Sequence, residues 1–430
     1  MKRRNFLTDV ALTSFLLACN KRDVLLKQSS VQSATKKLTI NTDYLHFNSY
    51  GQSLALGGGG KFYDGPFNVV STVQKYDSVM PNLGARSVDY SGQTATDFAP
   101  LVETVSPKGG QGETMCSGTC EMFCQMMGTK TFQLHAAASG KGAQSVLELS
   151  KGSPYYQRLM KDIQTAKNIA GEKGKTFSVG AIGFTHGEKD YRDNTSQDDY
   201  RLQLEQLNTD VNSDVAPITQ QSSKIPFIVG QASSQNRDAD SKIDPTVALA
   251  QLDLCINHPN FTLGTPMYMF DYLSDNTHLY QEDYRIVASY YGYAMKKLLI
   301  DGVKNFIYPK RHQLDGNTIR IRFNVPAEPL VFDTERVFDP GHFGFVVRDA
   351  IGNEITINKV DIHQGNTVRI DCASVPSTVS YAINGEYKKA GRQNGPRGCL
   401  RDSQGDTIIF DPGVTNWKSH NWTPIFKLDL

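Results

Sequence analysis

The sequence predicts an α/β protein: a parallel sheet flanked by helices, followed by an antiparallel β-sandwich. Three observations carry this. Between about residues 39 and 304, short apolar strand-like runs alternate with longer helix-like segments. Beyond about residue 305, the pattern gives way to short stretches of alternating apolar and polar residues, separated by Gly and Asn turns. The chain of 430 residues is long enough for two domains of ordinary size.

Taken in order, the chain opens on Met1-Lys2-Arg3-Arg4-Asn5-Phe6-Leu7, a basic start that leads into an apolar stretch ending at Leu16-Leu17-Ala18-Cys19. This pattern predicts an export signal over residues 1–19 with a lipobox, so that the mature chain begins at Cys19 carrying lipid. Arg3-Arg4 is similar to a twin-arginine signal, which tolerates the Asp9 inside the apolar stretch. Residues 20–38, rich in Lys, Ser, Gln and Thr, read as a flexible tether from that lipid.

The first domain, 39–304, begins with the strand-like Asp43 to Asn48, and Gly57 to Gly60 then allow a sharp turn. Thr131 to Ala138 reads as a strand, Pro154 to Gly171 as a helix and Phe177 to Phe184 as a strand. Next come a helix over Asp198 to Val211, a strand over Ile225 to Gly230 and a helix over Asp244 to Asn257. Phe261 to Phe270 is strand-like, and Gln281 to Leu299 is strongly helical. Alternation of this kind argues for a parallel sheet covered on both faces.

The second domain, 305–430, carries the alternating runs Thr318 to Phe323, Gly344 to Arg348, Ile355 to Ile357, Thr367 to Ile370 and Val379 to Ile383. It holds no catalytic constellation. Trp417 and Trp422 can stack on sugar rings or serve as core, and the Gly- and Arg-rich stretch Arg392 to Arg401 is long enough to reach toward the first domain.

The charge balance, 45 Lys and Arg against 44 Asp and Glu, leaves no excess to attract nucleic acid, and no such partner is expected. Of the seven cysteines, Cys19 is assigned to lipid. Cys116, Cys120 and Cys124 share one helix face, and with Met115, Met122, Phe123 and Met127 around them they suit a buried helix better than a metal or redox site. Cys255 reads the same way. Cys372 and Cys399 are available for a bridge within the last domain, though sequence does not fix pairing.

The chemistry-bearing residues follow the strand-like runs. Ser53, in Tyr50-Gly51-Gln52-Ser53-Leu54, stands at a strand end, where loops of an open α/β sheet converge. Far downstream, Asp275 precedes His278 by three residues, a spacing that lets the carboxylate orient the imidazole while its other nitrogen takes a proton from Ser53. Between them lies Phe184-Thr185-His186-Gly187-Glu188-Lys189-Asp190.

A Gly-Gln-Ser near the start, a His-Gly-Glu-x-Asp in the middle and an Asp-x-x-His late in the domain resemble the SGNH (GDSL-type) hydrolases. Within them the likeness is to the sialate O-acetylesterase and carbohydrate acetylesterase branch, over roughly residues 40 to 300. The resemblance implies a flavodoxin-like sheet and a serine esterase with Ser53, Asp275 and His278 as triad. It places the oxyanion glycine at Gly142 in Ser139-Gly140-Lys141-Gly142-Ala143-Gln144-Ser145, with Gly140 as the other register. The amide of Ser53 is the second donor, and His186 stands where the family offers an Asn or Gln side chain to the same oxyanion. Gln52 and Glu188 are supporting residues, with Asp190 bracing loops.

The expected protein is an exported, lipid-anchored esterase of the cell envelope acting on an acetylated carbohydrate, without metal or organic cofactor. Two other readings fit the same residues: an esterase for a lipid or aryl acyl group, and a glycan-binding surface lipoprotein that has lost turnover.

Overall fold

The computed structural model describes residues 40–59, 69–236, 244–411 and 415–430. The expected signal, tether and Cys19 lie outside the described residues. Among the described residues, no helix is long and apolar enough to cross a membrane.

The first half is a seven-stranded sheet in the order β3-β2-β4-β1-β5-β6-β7. Its strands are β1 (Tyr44–Gly51), β2 (Val79–Pro81), β3 (Phe98–Pro100), β4 (Gln133–Ala138), β5 (Phe177–Thr185), β6 (Phe227–Gln231) and β7 (Phe261–Pro266). All pair in parallel except edge strand β3, which runs antiparallel to β2. The helices are α1 (Cys116–Met127), α2 (Pro154–Glu172), α3 (Glu188–Arg192), α4 (Gln197–Thr219), α5 (Thr246–Asn257) and α6 (Gln281–Leu299).

β1 is buried along its whole length, and its period of two divides its side chains between the two helical layers. Leu45 and Phe47 meet Met295 and Tyr291 of α6 around Gly180 and Gly183. His46, Asn48 and Tyr50 face the other way: Asn48 donates to Ser139 Oγ at 2.9 Å, Ser139 to Asp162 of α2 at 2.6 Å, and Tyr50 to the Leu149 carbonyl at 2.7 Å. α1 lies close on α6, where Gly118 and Gly292 admit the opposing backbone. Its cysteines are buried free thiols.

Local sequence explains the helix starts. Ser153 caps α2 by accepting the Tyr156 N–H, with Pro154 pre-set at the first helical position, and Ser196 caps α4 through Asp199 N–H. The predicted strand through Phe270 stops at Pro266, because Met267–Met269 turns into a short 3₁₀ segment. Strands β2 and β3 escaped prediction: at three residues each they are too short to show a period.

β1 sits at the point where chain direction reverses. The strands after it, β2 to β4, build on one side, and α2 then crosses to β5 on the other. In an open sheet of this kind, the carboxyl end of the strand at that point is the expected location for a ligand site.

The remainder is antiparallel. Its strands are β8 (Tyr308–Asp315), β9 (Thr318–Asn324), β10 (Val331–Phe332), β11 (Phe345–Arg348), β12 (Ile357–His363), β13 (Thr367–Cys372), β14 (Thr378–Tyr381), β15 (Leu400–Arg401), β16 (Ile409–Phe410), β17 (Trp417–Lys418) and β18 (Phe426–Asp429). The two larger sheets run β12-β13-β9-β8 and β11-β14-β18. Cys372 and Cys399 are separate free thiols, with Cys399 Sγ donating to the Val337 carbonyl at 3.1 Å, so the possible bridge between them is not formed.

This part shares buried contacts with the first. Gln231 exchanges two hydrogen bonds with Ile425, at 2.8 and 3.0 Å, and Tyr268 donates to the Thr423 carbonyl at 2.6 Å. Trp422 is 3% exposed. Trp417 stacks on Phe270 and donates to Tyr290 at 3.1 Å, so both tryptophans are packing residues.

Candidate active site

Ser53 begins a 3₁₀ turn, Ser53–Leu56, directly beyond β1. Its Oγ donates to His278 Nε2 at 2.7 Å, and His278 Nδ1 donates to Asp275 Oδ2 at 2.5 Å. The other Asp275 oxygen accepts the backbone N–H groups of Thr277 and His278, each at 3.0 Å. Burial acts to raise the Asp275 carboxyl, but the His278 ring and these two N–H groups outweigh it and hold the group below the usual carboxylate range. Asp275 therefore stays ionised and keeps the imidazole proton on Nδ1, leaving Nε2 free to accept.

The glycines after Ser53 make room for this contact. A Cβ on Gly58 would stand 2.8 Å from Ser53 Cβ and 2.9 Å from His278 Cδ2. Tyr284 of α6 holds the same residue by donating to its carbonyl at 2.8 Å. Gly57 to Gly60 predicts a turn, yet at Gly58 the glycine is required by the approach of the imidazole.

The loop after β4 passes beside Ser53. A Cβ on Gly142 would lie 3.4 Å from Ser53 Cβ and 3.8 Å from its backbone nitrogen. Gly140 serves backbone packing instead, since a Cβ there would fall 2.1 Å from the Gly51 carbonyl oxygen. Lys141 N–H donates to that same oxygen at 2.9 Å.

His186 requires a correction. Its Nε2 faces the Gln144 carbonyl at 3.0 Å and its Nδ1 faces the Tyr200 hydroxyl at 3.0 Å. A carbonyl only accepts, so Nε2 carries the proton and spends it on Gln144. Burial depresses the imidazole pKa, which favours the neutral ring, with Asp190 and the Gln144 carbonyl opposing. His186 thus steadies the loop that carries Gly142 rather than offering an N–H to an oxyanion. Its place in the middle motif suggested otherwise because spacing reports position in the chain and not the direction of a ring.

The rest of that motif braces the same loops. Glu188 accepts from the Gln52 side chain and from Ser234 Oγ at 3.3 Å, linking the residue beside Ser53 to the loop after β6. Asp190 accepts the Val146 N–H at 3.0 Å and the Thr195 hydroxyl at 3.1 Å. The site thus gathers at the carboxyl ends of β1, β4, β5 and β7. It brings together a hydroxyl, a base for its proton and, at Gly142, backbone close beside the hydroxyl-bearing residue, an arrangement suited to ester cleavage. Among the described residues, no group of His, Cys, Asp or Glu could hold a metal ion.

Among solved structures, a carbohydrate acetylesterase from Xanthomonas citri shares the fold at 13% identity and TM-score 0.55, over 90% of this chain and 80% of that one. NanS matches at 11% identity and TM-score 0.43, over 60% of this chain and 98% of that one. A protein from Arabidopsis thaliana matches at 18% identity and TM-score 0.44, over 59% and 98%. No curated protein is a significant match. The family model described as carbohydrate esterase, sialic acid-specific acetylesterase matches residues 116–297, which hold Gly142, His186, Asp275 and His278 but begin after Ser53. Residues 116–297 thus match the carbohydrate esterase family of sialic acid-specific acetylesterases, a match that supports a carboxylic ester hydrolase.

Proposed function

We propose that this chain is an exported serine esterase that removes O-acetyl groups from a carbohydrate through Ser53, His278 and Asp275. The observation that supports the mechanism is the continuous line of hydrogen bonds from Asp275 Oδ2 through the His278 ring to Ser53 Oγ, at 2.5 and 2.7 Å. The acetyl group and the sugar rest on the family match over residues 116–297.

His278 Nε2 removes the Ser53 proton as Oγ attacks the ester carbonyl. The N–H groups of Ser53 and Gly142 receive the oxyanion of the tetrahedral adduct. His278 then returns the proton to the departing sugar hydroxyl, which leaves an acetyl group on Ser53. Water deprotonated by His278 releases acetate and regenerates Ser53. Neither half-reaction requires a metal or organic cofactor.

The apolar stretch ending at Leu16-Leu17-Ala18-Cys19 supports lipid attachment at Cys19, which would hold the esterase at the cell envelope. An acetate-release screen over O-acetylated sialic acids, xylan and peptidoglycan fragments tests the substrate class. Release from acetylated sugars, and little from longer acyl esters, is the expected result. Turnover confined to long-chain or aryl esters overturns the carbohydrate assignment, and sugar binding without any turnover overturns the esterase reading.

A further inference from the structure

The catalytic base sits on a turn, and turns are held in place by what packs on them. Residues Tyr272 and Leu279 form an isolated β-bridge, and Leu273 N–H donates to the His278 carbonyl at 2.7 Å, so the turn closes on itself. Its root, Met269 to Asp271, is gripped from the C-terminal region.

Arg392 Nε lies 2.8 Å from Asp271 Oδ1 and 2.9 Å from Oδ2, and Arg392 N–H donates to the Phe270 carbonyl at 3.1 Å. Arg336 Nη2 donates to the Met269 carbonyl at 3.1 Å. The two arginines are joined, because Arg392 Nη1 donates to the Arg336 carbonyl at 3.0 Å. The Arg336 guanidinium covers the Trp417 ring at 4.3 Å, and that ring stacks on Phe270.

The same loop reaches the far side of the turn. Ala390 N–H donates to Asn276 Oδ1 at 3.2 Å, and Asn276 directly follows Asp275 in the left-handed region at φ 53°. Lys388 N–H donates to the Asn236 carbonyl, beyond β6, at 3.1 Å. Gly391, at φ 87°, lies so flat on the root that a Cβ would come within 2.8 Å of the Phe270 carbonyl oxygen.

From this arrangement we infer that Arg392, with Arg336 behind it, is a positioning residue for the catalytic base, and that the loop 388–392 of the C-terminal region completes the esterase site. The inference rests on the serine-esterase reading above. A triad tolerates displacement of only about 0.5 Å, and a shift of about 1 Å costs roughly 10²-fold in rate. A single ion pair on a surface turn would supply little rigidity. Here Arg392 combines that pair with one backbone hydrogen bond to the root, and Arg336, to which it is bonded, adds a second to the same three-residue root.

The test uses the full-length chain and an activated acetyl ester, with a fluorophosphonate probe to count reactive Ser53. Arg392→Ala is expected to lower kcat by roughly 10- to 100-fold, with KM little changed and the melting temperature near wild type. Arg392→Lys should recover part of the loss, since it keeps the charge but not the fork. The double variant Asp271→Arg/Arg392→Asp should likewise recover part of the kcat lost in either single variant. Unchanged kcat in Arg392→Ala overturns the assignment, as does a loss fully matched by a smaller folded fraction with no recovery in the other variants. Wild-type protein that neither hydrolyses the ester nor is labelled at Ser53 overturns the esterase reading itself.

Discussion

Asp275 holds His278 from two directions: one carboxylate oxygen meets the imidazole Nδ1 at 2.5 Å, while the other accepts the backbone N–H of the same residue at 3.0 Å. Ring and backbone are thereby fixed to a single group, which sets the order expected of substitutions. Ser53→Ala and His278→Ala should each lower kcat by roughly 10⁶-fold, since nucleophile and base act as a unit. Asp275→Asn should cost roughly 10⁴-fold, because the ring remains but loses its orienting acceptor. Initial rates on an activated acetyl ester, corrected for folded fraction, decide this. A folded Ser53→Ala protein with wild-type turnover would falsify the mechanism.

Gly58 and Gly142 should respond differently to alanine although both border Ser53. At Gly58 the new methyl would overlap Ser53 Cβ and His278 Cδ2, so Gly58→Ala should separate the pair and abolish turnover. At Gly142 the nearest atom is 3.4 Å away, which the folded protein accommodates. Gly142→Ala should therefore keep its stability and lose rate by narrowing the space beside the nucleophile. Melting temperatures and kcat measured together separate the cases, and a Gly58→Ala enzyme of full activity contradicts the account.

His186 carries the opposite expectation from an oxyanion donor. Removing one such donor costs roughly 10²- to 10³-fold in kcat with little loss of stability. His186→Ala removes a buried ring bonded to Gln144 and Tyr200, so stability should fall, and His186→Gln, which can still donate to Gln144, should recover much of it. Chemical unfolding beside kinetics tests this. A stable His186→Ala protein with a large loss confined to kcat would restore the donor role.

The alternation of strands and helices was readable because each buried strand and each amphipathic helix imprints its own period on the chain. Gln281 to Leu299 is helical over the predicted residues, and β1, β4, β5 and β6 fall within a few residues of prediction. What stayed hidden depends on direction or on distant contact. The ring of His186 could have turned toward Ser53 as far as spacing tells. The reason for Gly58 is an imidazole 220 positions later in the chain, and β16 and β17 are two-residue strands without a pattern. Arg392 stood out only by composition, and its partner Asp271 lies far away in sequence.

Asp283 gives the fold a pH dependence that can be isolated. It is 9% exposed at the start of α6 and accepts the Asp271 N–H at 3.2 Å. Burial pushes its carboxyl up to about 7, with Arg336 opposing and Asp271 adding to the rise. The unfolded chain releases this proton near about pH 4, so between there and about pH 7 the native state holds a proton that the unfolded state lacks. Stability from this group is full below about pH 4 and is lost as pH rises through about 7. Asp283→Asn has no such proton. The difference in unfolding free energy, variant minus wild type, should climb between about pH 4 and pH 8, and a flat or falling difference in denaturant titrations refutes the assignment.

Arg285 of α6 and Asp411 of the C-terminal region are 3% and 4% exposed and meet at 2.5 Å, with Glu121 and Ser71 around the same guanidinium. Burying both charges costs desolvation that their attraction only partly offsets, so the pair itself adds little net stability. Breaking it is another matter, since Arg285 is then left buried with Glu121 alone and Lys75 loses its nearer carboxylate. Asp411→Ala should destabilise by roughly 3 kcal/mol, whereas Asp411→Ala/Arg285→Met, which removes both charges, should cost less than the single change. Because Gln231, Tyr268 and Tyr290 also bond to residues 420–425, both halves should unfold in one transition in wild type and variants alike. Two separated transitions, by fluorescence and by far-UV circular dichroism, would show that the junction does not couple the halves, and the C-terminal region would then be a unit that merely rests against the esterase.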